Sequence, residues 1–164
     1  VAVKEQPALL EIGKAEVLQN FSSNDKPKVA FFVLGPMRAI ADAAIGELGA
    51  ENIDAAIINP RFTKPIDGGT TEFFAEAAEV VVTIEDHVLR GGYGGIVRDH
   101  LAECGINTPV VRIGWPDQFI EHASSVDYLR DKHGLTGANT AKQIRQALGQ
   151  VADAEAKPNQ AAGR

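Results

Sequence analysis

The residues of this chain with the clearest chemical potential lie between positions 80 and 95, in the stretch VVVTIEDHVLRGGYGG. An apolar run is followed at once by Glu85, Asp86 and His87, and then by four glycines around Tyr93. Carboxylates beside a histidine can transfer protons, and a glycine-rich loop before a helix can bind a phosphate through its backbone amides. The stretch therefore raises two hypotheses, an acid–base site and a phosphate site.

The glycine loop matches a phosphate-binding pattern only in part. Gly92 and Gly94 supply the first half of the dinucleotide pattern G-x-G-x-x-G, but Val97 occupies the third glycine position. No Lys-Ser or Lys-Thr pair follows the glycines. Glycines also permit positive backbone φ angles and the close approach of another surface. The sequence favours this conformational role over phosphate binding.

The acid–base pattern is weaker still. Neighbouring side chains of an extended strand point to opposite faces, so Asp86 and His87 are poorly placed as a dyad, whereas Glu85 and His87 can share a face. A histidine at the end of a strand is more often a hydrogen-bonded or exposed residue than a catalyst. No serine of the chain lies in a G-x-S-x-G motif. The residues alone therefore provide no recognisable catalytic set.

Metal binding is a third possibility, because His100 and Cys104 are four residues apart and share one face of a predicted helix. No second pair with ligand spacing is present, and His122 and His133 lack companion ligands. We therefore expect no metal site, and we expect Cys104 to lie in the core.

Composition restricts the classes of function. Sixteen basic and twenty-two acidic residues give a net charge of −6, which argues against nucleic acid or an anionic membrane as the main partner. The single cysteine cannot form an internal disulfide, and no apolar stretch approaches the ~20 residues that span a bilayer. We expect a cytoplasmic protein with no nucleic-acid or membrane partner.

The elements that must position these residues alternate between strands and helices. Continuous apolar runs predict strands at 29–35, 53–59, 80–85 and 109–114. Apolar residues at helical spacing predict helices at 37–49, 71–78, 95–105, 125–134 and 138–154. Strands this apolar are usually buried on both faces, as in a parallel sheet covered by helices. We predict a three-layer α/β fold with about five mostly parallel strands.

The two ends of the chain differ from this pattern. Residues 8–18 have strand-like apolar runs on both sides of Gly13, and we expect an edge strand there. Residues 155–164 are Ala, Pro, Gly and polar residues, which predicts a disordered tail after a domain of residues 1–154. The chain starts with Val1 and lacks the apolar core of a signal peptide, so we expect a processed or separately expressed piece.

Loops that leave the carboxyl ends of parallel strands gather at one edge of the sheet, where open α/β sheets usually bind ligands. Three such loops have unusual sequences, at 35–38, 59–69 and 85–95. In the second loop, Arg61 and Lys64 could meet a phosphate or form contacts across an interface. We therefore expect the functional surface at this edge.

Three segments, in this order and spacing, resemble the C-terminal domain of 1-deoxy-D-xylulose-5-phosphate synthases, a branch of the transketolase-like family. They are NPRFTKPID (59–67), VVVTIEDHVLRGGYGGIVRDHL (80–101) and VVRIGWPDQFIEHAS (110–124). LLEIGKAEVL (9–18) is similar to that domain's first strand, and DKHGLTGANTAKQIRQAL (131–148) is similar to its closing helices. The C-terminal domains of transketolase and of 2-oxo acid dehydrogenase beta subunits match less well. Trp115 and Ala123 depart from the pattern, which has a smaller aliphatic residue and a glycine there.

The resemblance implies an enzyme of isoprenoid precursor synthesis that condenses pyruvate with glyceraldehyde 3-phosphate on thiamine diphosphate and Mg²⁺, with release of CO₂. In that family the cofactor and metal sites lie on two preceding domains, and we find neither motif in these residues. The resemblance thus implies a docking module that supports a homodimer and is inactive alone; a free-standing binding subunit is the alternative. The implied contact residues are Arg61, Phe62, Lys64, Asp67, Glu85, His87, Gly91, Gly92, Tyr93, Gly94 and Gly95.

We expect the 85–95 loop to act as an interdomain latch. In this hypothesis Glu85 and His87 make polar contacts, and the glycines, including Gly94 at positive φ, let a neighbouring domain approach the backbone. The positive end of the following helix would meet an acidic or carbonyl-bearing partner surface. Without the neighbouring domains, Phe62, Ile66 and Tyr93 are expected to form an exposed apolar patch.

Overall fold

A computed structural model describes residues 9–23, 25–122 and 124–156. Within them the strands are β1 (Glu16–Gln19), β2 (Lys28–Val33), β3 (Asp54–Asn59), β4 (Val80–Val88) and β5 (Val110–Trp115). These strands form one sheet in the order β1-β3-β2-β4-β5. β1 pairs with β3 antiparallel, and the other pairs are parallel. The predicted sheet of about five mostly parallel strands is confirmed.

Helices follow four of these strands and cover both faces of the sheet. They are α1 (Arg38–Leu48), α2 (Gly68–Ala77), α3 (Tyr93–Glu103), α4 (Val126–Lys132) and α5 (Gly137–Glu155), with short 3-10 turns at Gly35–Met37 and Gly49–Glu51. In the described part of the chain, no helix has the length and apolar character needed to cross a bilayer.

Alternating strand residues fill two cores, one on each face of the sheet. Phe31 and Val82 lie on the face covered by α1 and α5, and Phe32 and Val81 lie on the face covered by α2 and α3. Because both faces are covered, the central strands are apolar at almost every position, which is the pattern that predicted them. The structure is the three-layer α/β fold expected from the sequence.

The chain's first described segment differs from its prediction. Only Glu16–Gln19 forms the edge strand, because Gly13, at φ 74°, turns the backbone just before it. A Cβ at Gly13 would lie 2.9 Å from Pro65 Cγ, so the turn packs directly on the loop after β3. The apolar residues before the turn are exposed and outside the sheet, and residue 8 lies outside the described residues.

The other end of the described chain continues as helix. α5 runs through Glu155, where the sequence predicted the start of a tail. Residues 157–164, the rest of that predicted tail, lie outside the described residues, as does Ala123.

Candidate functional site at the loop edge of the sheet

Glu85 marks the point where the buried part of β4 ends, and its side chain is almost completely buried. Its Oε2 accepts a hydrogen bond from the Tyr93 backbone N at 2.7 Å, and its Oε1 accepts one from the Gly94 backbone N at 2.9 Å. Both amides belong to the first turn of α3, where backbone donors have no partner within the helix. Glu85 therefore caps α3, and the positive end of the helix offsets the cost of burying a carboxylate.

This contact changes the expected role of the helix end. The latch hypothesis assigned the positive end of α3 to a partner surface, but Glu85 of the same chain accepts hydrogen bonds from its first two amides. The carboxylate fixes the loop to the strand that precedes it.

Two glycines fit closely against the side chains around this contact. A Cβ on Gly92 would lie 2.3 Å from Glu85 Oε2, and one on Gly94 would lie 2.4 Å from Thr83 Oγ1 and 2.9 Å from Arg112 Cδ. In this loop only Gly91 has a positive φ, of 72°, so the expectation of positive φ at Gly94 is wrong. Glycine is needed at 92 and 94 because side chains of this chain occupy the space.

Asp86 follows Glu85 but points away from it, as the alternation of a strand requires. Its Oδ1 accepts a hydrogen bond from Trp115 Nε1 at 2.7 Å, and its Oδ2 accepts one from the Arg130 guanidinium at 2.8 Å. The Trp115 ring also packs edge-on against His133, with centroids 5.8 Å apart. Asp86 thus joins the ends of β4 and β5 to α4, and Trp115, a departure from the family pattern, serves as a donor.

The three unusual loops do meet at the carboxyl edge of the sheet. They surround an open cleft of about 410 Å³, lined by Leu34–Pro36 after β2, Thr63 and Lys64 after β3, and the end of β4 with its glycine loop. Six of the predicted contact residues line it, namely Lys64, Glu85, His87, Gly91, Gly92 and Tyr93. His87 is exposed there, and its Nδ1 lies 2.9 Å from the Val88 carbonyl oxygen.

Other predicted contact residues make contacts within the chain and away from the cleft lining. Arg61, at a positive φ of 59°, forms an ion pair with Glu16 of β1 at 2.8 Å. Asp67 is the N-cap of α2 and accepts hydrogen bonds from the backbone N of Thr70 and of Ala15. Burial alone would raise the pKa of Asp67, but these hydrogen bonds outweigh it and lower the pKa.

Tyr93 does not belong to an exposed apolar patch, so that expectation is wrong. As the first residue of α3 it is held by Glu85, and its ring turns into the core under the sheet with 2% of its surface exposed. Burial, followed by the nearby charges of Glu85 and Asp67, raises the pKa of its hydroxyl. Phe62 and Ile66 are half-buried. Among the residues that the structure describes, the exposed large apolar side chains are Leu9, Leu10, Ile12, Val17, Leu18, Phe73, Phe119, Val126 and Tyr128.

Cys104 is exposed, so its predicted place in the core is also wrong. The last residue of α3 in the core is Leu101, and Cys104 follows the end of the helix. There it forms a group with Glu72 and His100 whose potential ligand atoms all lie within 4.8 Å of one another. Thiolate and imidazole are not ligands that Mg²⁺ prefers, so this group does not fit the magnesium ion implied by the family resemblance.

Comparison with known proteins identifies one family and one group of relatives. The family model described as "Transketolase, C-terminal domain" matches residues 13–139. A 1-deoxy-D-xylulose-5-phosphate synthase of Methylacidiphilum infernorum is 48% identical over 148 residues, which are 90% of this chain and 22% of that protein. The synthase of Acidobacterium capsulatum is 44% identical over 135 residues, or 82% of this chain and 21% of that protein. The chain thus spans about a fifth of the length of these relatives.

A solved structure, titled "Split gene transketolase, inactive beta4 tetramer", has the same fold. It superposes with a TM-score of 0.73 at 33% sequence identity, over 85% of this chain and 44% of that chain.

Proposed function

The chain belongs to the family of transketolase C-terminal domains, and from that premise we propose that it is the C-terminal domain of a 1-deoxy-D-xylulose-5-phosphate synthase. The whole enzyme would be a transferase that forms 1-deoxy-D-xylulose 5-phosphate and CO₂ from pyruvate and glyceraldehyde 3-phosphate, for isoprenoid precursors. The observation that carries this proposal is the 48% identity over 90% of the chain to a synthase of which it spans 22%.

Thiamine diphosphate and Mg²⁺ would be bound by preceding domains of the same protein. This chain would be a docking module that supports a cytoplasmic homodimer, and alone it would be inactive. The proposal predicts that calorimetric titration of the chain with thiamine diphosphate and Mg²⁺ gives no binding heat. Micromolar binding by the purified chain would contradict it.

The docking surface would be the cleft at the carboxyl edge of the sheet. Lys64 and His87 are exposed there, and a Cβ on Gly91 would have no neighbour within 4 Å, so these three positions are open to a partner. We propose that they contact the neighbouring domain directly, and that Gly95, which lines the adjoining cleft with Gly91 and Arg112, does so as well. The remaining predicted residues would instead stabilise the loops at 59–69 and 85–95 through contacts within this chain. These residues are Arg61, Phe62, Asp67, Glu85, Gly92, Tyr93 and Gly94.

A chimeric enzyme tests this function. The matching C-terminal part of the Methylacidiphilum infernorum synthase would be replaced by this chain, and the formation of 1-deoxy-D-xylulose 5-phosphate would be measured. We expect turnover within about tenfold of the parent, since the two sequences are 48% identical over 90% of this chain. A chimera that is folded, dimeric and loaded with thiamine diphosphate but inactive would contradict the proposal.

Matched variants of the chimera test the docking surface. Lys64→Ala should weaken dimer assembly, whereas Lys142→Ala, which removes an exposed lysine from α5, should not. Equal dimer stability in the two variants would contradict the proposed surface. His87→Ala should leave the chemical step of the assembled dimer nearly intact. Loss of turnover in that variant, with normal cofactor binding and dimerisation, would place His87 in the reaction.

A free-standing subunit that assembles with a separate catalytic chain is the second candidate. The observation that favours it is the likeness to a structure titled as a split-gene transketolase. The length of the reading frame that encodes this chain distinguishes the two: continuous coding sequence for the preceding domains supports the first proposal, and a separate gene supports the second.

A further inference from the structure

A group of three side chains lies on the outer surface of α2 and α3, and we propose that it binds a divalent transition-metal ion of the Zn²⁺ class. Glu72 belongs to α2, His100 to the last turn of α3, and Cys104 caps the end of that helix. His100 Nε2 lies 2.9 Å from Glu72 Oε1 and 3.9 Å from Cys104 Sγ. This inference does not depend on the proposed function.

The two separations that involve His100 are close to those around a tetrahedral ion, and all three ligand atoms lie within 4.8 Å of one another. Zn²⁺ binds oxygen and nitrogen at roughly 2.1 Å and sulfur at roughly 2.3 Å, so two of its ligand atoms lie about 3.4–3.6 Å apart. The observed separations of 2.9 Å and 3.9 Å bracket that range. The ion would take the place of the hydrogen between His100 Nε2 and Glu72 Oε1; the neutral imidazole would then carry its proton on Nδ1, and the thiol proton of Cys104 would go to solvent.

The chemistry of the ligand atoms selects the class of metal. Imidazole and thiolate ligands favour Zn²⁺, Co²⁺ and related ions over Mg²⁺ and Ca²⁺, which prefer oxygen. Cys104 is exposed and His100 and Glu72 are partly exposed, which leaves the group accessible to an ion from solvent.

A glycine keeps space beside two of the ligands. A Cβ on Gly68 would lie 3.0 Å from His100 Cε1, 3.1 Å from His100 Nε2 and 3.2 Å from Glu72 Oε1. Any residue larger than glycine at position 68 would therefore crowd the ligand atoms of His100 and Glu72. The fourth position of the ion would be filled by water, as in zinc sites with three protein ligands.

A second histidine–carboxylate pair in the chain provides a natural contrast. His133 Nε2 lies 3.1 Å from Glu121 Oε2, but the ammonium group of Lys132 also contacts Glu121. The ammonium group of Lys132 thus already forms an ion pair with that carboxylate. Within the described residues, no cysteine lies with this pair in a group of potential metal ligands. The competing interpretation of Glu72 and His100 is that they too form only an ion pair, with Cys104 nearby by chance.

Titration of the purified chain with Co²⁺ separates the two interpretations. Both cores are built from this chain's own residues, so the chain is tested as it is. We expect one equivalent of Co²⁺ to produce a near-ultraviolet thiolate-to-cobalt charge-transfer band, and Zn²⁺ to remove it. Absence of the band at saturating Co²⁺ would overturn the proposal.

Variants assign the ligands. Cys104→Ser should abolish the band. His100→Ala and Glu72→Gln should each weaken Co²⁺ binding by at least about tenfold, which is the smallest loss usual even for residues that only hold a metal's ligands in place. Glu121→Gln should leave affinity unchanged; equal losses in Glu72→Gln and Glu121→Gln would overturn the proposal. Gly68→Ala keeps every ligand, and it should also weaken binding while far-ultraviolet circular dichroism remains that of the parent chain.

Discussion

Glu85 and Asp86 are neighbours in the sequence and carry the same functional group, yet they hold different parts of the molecule. Glu85 points inward and accepts hydrogen bonds from two backbone amides of α3. Asp86 points outward, is exposed, and accepts hydrogen bonds from Trp115 and Arg130. Because water competes for the second set and not for the first, we expect the buried contacts to contribute more to stability. The comparison teaches that strand alternation, not residue type, assigns a carboxylate its role at this edge.

The largest effect is expected from crowding the carboxylate of Glu85, the inner member of the pair. In Gly92→Ala the new Cβ would lie 2.3 Å from Glu85 Oε2 and 2.6 Å from the Val88 carbonyl oxygen, so the loop must shift. We expect the free energy of unfolding, measured in urea, to fall by about 3 kcal/mol, the upper end for an overpacked site. Gly91→Ala next to it has open space but a positive φ, and it should cost only about 1 kcal/mol. A larger loss for Gly91→Ala would reverse this interpretation.

Glu85→Gln tests the inner contacts without changing the size of the side chain. The amide group has one acceptor oxygen, so its nitrogen would face one of the two backbone amides of α3 and leave that amide without a partner. We expect a loss of about 2 kcal/mol in the free energy of unfolding. Hydrogen exchange at the first turn of α3 should accelerate in the same variant. Unchanged stability and exchange would show that Glu85 does not hold the helix.

A third carboxylate, Asp54, extends the comparison to pH. It is buried and accepts hydrogen bonds from the backbone amides of Ser22 and Ser23. Burial alone would raise its pKa, but these hydrogen bonds outweigh that effect and lower the pKa. A lowered pKa in the folded state stabilises the protein above pH ~4 and stops doing so as the pH falls through the lowered value.

Asp54→Asn should therefore cost about 1–2 kcal/mol in urea unfolding at pH 7. The difference from the parent chain should shrink as the pH falls below about 4, where Asp54 becomes protonated first in the unfolded chain and then, at lower pH, in the folded one. A difference that stays constant or grows on acidification would contradict the assignment.

The smallest effect is expected at the carboxylate of Asp86, the outer member of the pair. Asp86→Asn keeps one acceptor and loses the charge opposite Arg130, so we expect a loss of about 0.5–1 kcal/mol, as for other exposed pairs. Because the chain has a single tryptophan, its fluorescence reports this contact directly. The emission of Trp115 should change while the urea midpoint moves little. A loss as large as that of Glu85→Gln would remove the distinction between the two carboxylates.

The sequence predicted the fold well because the signals for it are local. Apolar runs such as 29–35 and 80–85 mark strands that are covered on both sides. The first run extends two residues beyond the end of β2, and the second lies entirely within β4. The edge strand was predicted too long, because the apolar residues before Gly13 look the same whether they pair or lie on the surface.

The candidate site was less predictable, because its contacts join residues that are distant in the sequence. Glu72 lies 28 positions from His100, and Asp86 lies 29 positions from Trp115. No local pattern links such pairs, so the sequence showed the helical spacing of His100 and Cys104 but gave no sign of Glu72 beside them, and it led to the expectation of no metal site there. The sequence marked the glycines at 92 and 94 as contacts of a neighbouring domain, whereas the groups that crowd them within this chain, Glu85 and Thr83, became known only from the fold.

The position of α5 in the sequence also determines when, during synthesis on a ribosome, this chain can complete its hydrophobic core. All five strands precede α5 in the sequence, yet one face of the sheet is completed by Ala141, Ile144 and Ala147 of that helix. A Cβ on Gly137 would lie 2.5 Å from Ala43 Cβ, so the start of α5 fits directly against α1. A nascent chain that has formed its whole sheet would still expose apolar surface to other nascent chains until this helix emerges. Its greatest risk of aggregation in the cell therefore falls late in translation, after the strands are made and before α5 has docked.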